Sequence, residues 1–223
     1  MTPASIAGNM LLAFVSLFVN GFGVYLTIHA DIGAGPWDVF NLGLSKTFGT
    51  LYGTAAIAVS FSVLVIDIIM REPIGIAMII DSITVGKSVD FFNYIDVVPV
   101  PHTLVGRILM MLVGLVIMGY TQYFYMSASL GCGPRDTLLV GLKKRLKKIP
   151  IGVVGVMLQS VVTFTGFLLG GPVGIGTLIC AFGSAPIMQL AFYTVRFDAV
   201  GIKHQNIIET VRILFGIKPK KET

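Results

Sequence analysis

Long apolar stretches separated by short polar, glycine-rich ones set the pattern of this chain. Six runs stand out, at about 6–29, 52–70, 74–92, 104–126, 151–169 and 173–195. A helix needs about 20 mostly apolar residues to cross roughly 30 Å of hydrocarbon, and each run approaches or exceeds that length. The pattern therefore predicts an all-α, polytopic membrane protein with six transmembrane helices. The first run lacks a preceding basic stretch and exceeds the about 7–15 residues of a signal-peptide core, so it is expected to stay as the first span.

The polar interruptions repeat. Ala30, Gly33, Gly35, Pro36, Asp38, Gly43 and Leu44 recur 98 residues later as Ala128, Gly131, Gly133, Pro134, Asp136, Gly141 and Leu142. Unrelated segments of fifteen residues share about one identity by composition alone. Upstream, Leu11, Gly21 and Tyr25 match Leu109, Gly119 and Tyr123 at the same offset. Downstream the offset is 99, with Pro73, Gly75, Ile76 and Ile80 matching Pro172, Gly174, Ile175 and Ile179. The chain thus divides into a three-span unit at 1–100, a second at 101–197 and a tail at 198–223.

Charge fixes an orientation. Lys143, Lys144, Arg145, Lys147 and Lys148 precede the fifth run, and Arg196, Lys203, Arg212, Lys218, Lys220 and Lys221 follow the sixth. Two spans separate these clusters, so they share one side, which the positive-inside rule makes cytoplasmic. Three spans per unit then force the units to insert in opposite directions, an arrangement common in secondary transporters. The expected location is a bacterial inner membrane with both termini in the cytoplasm. Ile207, Ile208, Val211 and Leu214 share one face of an expected amphipathic helix in the tail, lying on the cytoplasmic membrane surface.

In each Gly-x-Gly-Pro-x-Asp turn, proline suits the first position of a new helix and the aspartate falls at its third, near the positive helix end. The helix after each turn is about 12 residues, too short to cross. It is either a capped interfacial helix or a re-entrant half-helix lining a wet cavity. On the second reading, Gly33, Gly35, Pro36, Trp37 and Asp38 join Gly131, Gly133, Pro134, Arg135 and Asp136 as substrate-binding candidates. Asp81, Lys87 and Asp90 place charges inside the third run and are candidates for ion coupling. Lys87 and Asp90 have ion-pair spacing, as do Asp67 and Arg71. Tyr120, Tyr123 and Tyr125 fit an interfacial aromatic belt, while Gln122 and Gln159 either line a cavity or bond between helices.

With these residues in view, the chain resembles the bacterial YczE/YyaS/YitT-type membrane proteins. The likeness rests on the Leu-Gly-x-Gly-Pro-like turn with its aspartate, the Pro-x-Gly opening of the third span, and a tail with Gly201, Lys203, His204 and Gln205. YitT-type members often carry an additional soluble C-terminal domain, which is not seen in this sequence, so the likeness is greatest to the YczE branch. The resemblance implies a polytopic bacterial inner-membrane protein and supplies no substrate, cofactor or site.

The function expected from the residues is a small secondary transporter of a small polar or anionic metabolite, proton- or cation-coupled, working by alternating access between inverted repeats. The alternative is a non-transporting membrane regulator or assembly partner acting through its basic cytoplasmic loop and tail. No P-loop, H-E-x-x-H or G-x-S-x-G motif is present, and no enzyme activity, cofactor or metal is expected. Cys132 and Cys180 have neither disulfide nor zinc spacing. The net charge of +5 is accounted for by the topogenic clusters, so the expected partners are the lipid bilayer, a small-molecule substrate and a second copy in a homodimer, not nucleic acid.

Overall fold

Helix boundaries in the first half recur in the second at nearly the spacing of the sequence repeat. In the computed structural model, which describes residues 3–197 and 205–214, α1 (Pro3–His29), α2 (Pro36–Phe48), α3 (Tyr52–Ile69) and α4 (Ile76–Ile95) are followed by α5 (Leu104–Ser127), α6 (Pro134–Arg145), α7 (Ile151–Leu168) and α8 (Ile175–Thr194). A short α9 (Ile207–Leu214) follows. Among the described residues all regular secondary structure is helical. The turns repeat as well as the helices. Asp31 and Ser129 are equivalent and both left-handed (φ 51° and 57°), as are Gly33 and Gly131 (φ 102° and 120°) and Arg71 and Gly170 (φ 56° and 83°).

All six expected runs are helical, their ends within about three residues of the sequence reading. Five of them, α1, α3, α5, α7 and α8, are long and apolar enough to cross a membrane. The remaining one, α4, is as long as α8, at 20 residues, but carries Asp81, Lys87 and Asp90. At 1.5 Å per residue α2 and α6 reach only about 20 Å, well short of a bilayer. The chain is a helical, polytopic membrane protein.

The first helices of the two halves pack antiparallel. Arg107 donates to the Asp31 carbonyl at 2.9 Å, Asn20 Nδ2 to Thr121 Oγ1 at 2.9 Å, and Asn9 Nδ2 to the Ala128 carbonyl at 3.0 Å. The order of these contacts requires opposite chain directions. Between them the backbones nearly touch: a Cβ on Gly23 would lie 2.8 Å from the Gly114 carbonyl oxygen, and one on Gly114 2.6 Å from that of Gly23. Without strong apolar driving force between helices in lipid, such close backbone packing supplies association.

Two expected ion pairs do not form. Helix α3 ends at Ile69 and Arg71 adopts a left-handed conformation, so the helical spacing from Asp67 is lost. Asp67 is buried with neither carboxylate oxygen hydrogen-bonded. Glu72 instead receives Lys144 at 2.5 Å and Arg145 at 3.4 Å. Asp90 accepts from the Gly53 backbone N–H at 2.7 Å and so secures the start of α3. Lys87 is exposed, and among the described residues it makes no ion pair with Asp90. The aromatic belt is also corrected in part. Tyr125 is fully inside the protein, packed with Ile6, Ala77 and Leu130, because it lies on the face of α5 turned toward α1. Helix α9 docks on the bundle through buried Thr210 and half-buried Ile213, while Ile208 and Val211 stay exposed. The remainder of the expected tail, 198–204 and 215–223, lies outside the described residues.

Candidate functional site

Each Gly-x-Gly turn is clasped by the opposite half. Gly176 N–H donates to the Ile32 carbonyl at 2.7 Å, and the repeat-equivalent Ala77 N–H donates to the Leu130 carbonyl at 3.1 Å. Ala34 N–H also donates to the Pro172 carbonyl at 3.2 Å. A Cβ on Gly33 would meet Gly174 N at 2.5 Å, and one on Gly131 would meet Gly75 Cα at 2.7 Å. The two recurring motifs, Gly-x-Gly-Pro and Pro-x-Gly, are therefore two sides of one backbone junction, made twice. Gly33 and Gly131 serve this junction and do not line the cavity.

The junctions aim the first turns of α2 and α6 at a single cavity of about 270 Å³ between α1, α3, α4, α5 and α8, lined among others by Asp38, Asp81, Gly133, Arg135 and Asp136. The helix starts are as the motif predicts: Gly35 and Gly133 are the N-caps, Pro36 and Pro134 follow, and Asp38 and Asp136 sit in the first turn. The carboxylates turn to side chains. Tyr52 Oη donates to Asp38 Oδ1 at 2.6 Å, and Gln122 Nε2 to Asp136 Oδ2 at 3.4 Å. Asp38 is buried, Asp81 half-buried and Asp136 exposed, so the cavity is accessible on the Asp136 side.

Arg135 lies 5.0 Å over the ring of Trp37 and is near enough to Asp38, Asp81 and Asp136 to bear on each electrostatically. Trp37 itself is half-buried and packs beside Val59, Val63 and Leu138. Gly35 stands against Cys180 as Gly133 stands against Asp81. Cys180 and Asp81 are repeat partners, so this position is a thiol in one half and a carboxyl in the other. Of the remaining candidates, Pro36 borders a separate groove between α7 and α8, which Gln159 also lines. Pro134 is a buried helix start. Lys87 and Asp90 stand away from the cavity lining.

Several cavity residues escape the sequence reading. Tyr52, Asn20, Ser60, Ser82 and Ser184 all line it. Asn20 had a usable signal, a lone amide in the middle of the first apolar run. Tyr52 had none, since it opens an apolar run where an interfacial tyrosine is ordinary.

Antiparallel helix pairs, clasped polar turns and a charged cavity at their meeting point define a helical membrane protein with an internal polar site. The chain belongs to the family of unknown function DUF6198, whose model matches residues 7–192. It is similar to the uncharacterised membrane protein YczE of Bacillus subtilis (strain 168), 31% identical over 180 residues covering 80% of this chain and 82% of the relative. An uncharacterised protein of Haemophilus influenzae (strain ATCC 51907 / DSM 11121 / KW20 / Rd) is 28% identical over 174 residues, 78% of each chain. The uncharacterised protein YyaS of Bacillus subtilis (strain 168) is 25% identical over 168 residues, 74% of this chain and 83% of its own. No solved structure matches. The resemblance to YczE/YyaS-type proteins read from the motifs is thereby shown.

Proposed function

We propose that the chain is a small secondary transporter, working by alternating access between two inverted three-span units in a cell membrane, with both ends of the chain cytoplasmic. The observation that carries this reading is the meeting of both Gly-x-Gly-Pro-x-Asp turns at one charged cavity, each short helix starting there and running outward. Broken backbone at membrane depth is tolerated where it lines such a cavity, and half-helix starts at an inverted-repeat interface are a common substrate site in transporters. Unequal packing of equivalent helices supports it too. Helices α3 and α4 press together at Gly53 and Gly86, whereas α7 and α8 stand apart around a groove of about 490 Å³. Exchanging the two arrangements would move the opening from one side to the other.

The regulator reading draws less support. Lys144 and Arg145 of the basic loop are taken up by Glu72, and Arg145 also donates to the Met70 carbonyl at 2.6 Å. The loop is thus tied to its own protein.

Membrane-impermeant maleimide labelling tests the proposal, with single cysteines placed in a background of Cys132→Ser and Cys180→Ser. Lys46→Cys, at the end of α2, is expected to label from outside only, and Lys147→Cys, after α6, from inside only. Ser184→Cys, in the cavity, is expected to react from both sides. Labelling of the first two from one side overturns the inversion, and reaction of the third from one side alone overturns alternating access.

A further inference from the structure

We infer that the central cavity recognises a small organic cation, its ammonium group seated between Asp81 and Asp136, and not an anion. This deepens the transporter reading and rests on it for the role of the site. The charge balance comes first. Asp38, Asp81 and Asp136 face the cavity with Arg135 as its single basic side chain. The starts of α2 and α6 add about half a positive charge each. Carboxyl groups still outnumber the one basic side chain three to one, so the lining is richer in acceptors than in donors and suits a cation better than a carboxylate or phosphate.

The geometry provides a seat. Gly133 has no side chain, and the place its Cβ would take lies 2.9 Å from Asp81 Oδ2 and 3.7 Å from Asp136 Oδ2. Two carboxylate oxygens from different helices thus approach one stretch of the cavity wall, where a primary ammonium can donate to both and a methylated one can lie beside them by charge. A separate observation points to a ligand as well. Ser60 is only 7% exposed and lines the same cavity, yet its hydroxyl has no hydrogen-bond partner among the described residues. The hydroxyl is therefore left to the cavity, where a bound molecule would supply the partner.

The cavity is also more than an inorganic-ion site. A bare monovalent ion calls for a tight shell of oxygens, whereas this space is about 270 Å³ and has Val24, Val85, Leu115, Met118 and Met188 in its walls. That volume lies near the small end of metabolite pockets, with apolar surface for carbon and carboxylates for one charged end.

The test is the thermal stability of the purified full chain in detergent, titrated with choline and putrescine, with butyrate and succinate, and with sodium and potassium chloride. A ligand that binds the folded state raises its stability by mass action. Saturable stabilisation by choline or putrescine, absent with the anions and the salts, is the expected result. Asp81→Asn and Asp136→Asn should each weaken it at least about tenfold, and Ser60→Ala about two- to fivefold. Each variant is accepted only if its helical circular dichroism and cooperative melt match the parent, and Ser60→Ala tests the site with every charge intact. Stabilisation by butyrate or succinate that survives both aspartate variants overturns the inference, as does an equal effect of the inorganic salts. No saturable shift with any probe overturns it too. Alternating access stands or falls separately, on the labelling of the three cysteine positions.

Discussion

Trp37 and Arg135 hold the same position in the two copies of the motif, and they touch, the guanidinium carbon 5.0 Å from the indole ring centroid. Residues equivalent under a two-fold relation meet only near its axis. Their contact therefore marks the place where the halves exchange roles, beside the cavity that both motifs line. A cation over an indole face is worth about 0.5–2 kcal/mol, more where water is excluded. In a cycle of Trp37→Leu and Arg135→Met, a coupling of about 1 kcal/mol is expected from unfolding in detergent. Trp37 is the only tryptophan of the chain, so Arg135→Met should also shift intrinsic emission. Strict additivity, with unchanged emission, would contradict the contact.

The backbone junctions make a sharper claim about glycine. Ala at Gly33 or Gly131 would have to hold a positive φ, at about 1–2 kcal/mol, and would drive its methyl into Gly174 or Gly75 of the other half, at about 1–3 kcal/mol. Both variants are expected to lose more than about 2 kcal/mol. Gly8 has nothing within 4 Å of its Cβ position and lies inside α1. There the same change should be neutral or gain up to about 1 kcal/mol from helix propensity. Melting temperatures of the three variants decide the matter, and a parent-like Gly131→Ala would refute the junction.

Tyr52 is the donor that Asp38 relies on, at 2.6 Å in a buried setting. Removing the hydroxyl in Tyr52→Phe leaves a carboxylate oxygen without its partner, for about 1–3 kcal/mol. Combined with Asp38→Leu the loss should be much less than the sum, because the stranded oxygen is gone as well. A double-variant cycle by denaturant unfolding reads this directly, and additive losses would show that the bond contributes nothing.

Much of this architecture was legible because a bilayer imposes a single length on apolar runs, and duplication marked which polar residues matter. The motif aspartates and Arg135 were found that way. Tyr52 was not, since its repeat partner is Ile151 and duplication could not single it out. Nor could sequence pair Gly33 with Gly174, residues far apart in the chain and joined only by the crossing of the two halves. Asp67 and Arg71 misled for a local reason. Their spacing is helical, but the left-handed turn at Arg71 comes first, and Gly170 at the equivalent turn was the available clue.

The charges of α4 give the last test, since spacing and structure disagree about them. If Lys87 and Asp90 were an ion pair, neutralising either would cost the same, and Asp90→Asn would be as damaging as Lys87→Met. The structure instead has Asp90 Oδ1 accepting the Gly53 N–H at 2.7 Å, where α3 begins and its backbone runs against Gly86. An amide oxygen can accept that bond as well as a carboxylate can. Asp90→Asn should therefore stay within about 1 kcal/mol of the parent, while Asp90→Ala strands a helix-start donor and loses about 1–3 kcal/mol. Lys87→Met, on an exposed face, should change stability by no more than about 0.5 kcal/mol. Unfolding of the three variants side by side separates the two accounts: equal losses for Lys87→Met and Asp90→Asn would restore the ion pair. Near-silent Lys87→Met with a damaging Asp90→Ala would place Asp90 in the packing of α3 on α4, the contact whose counterpart between α7 and α8 is open.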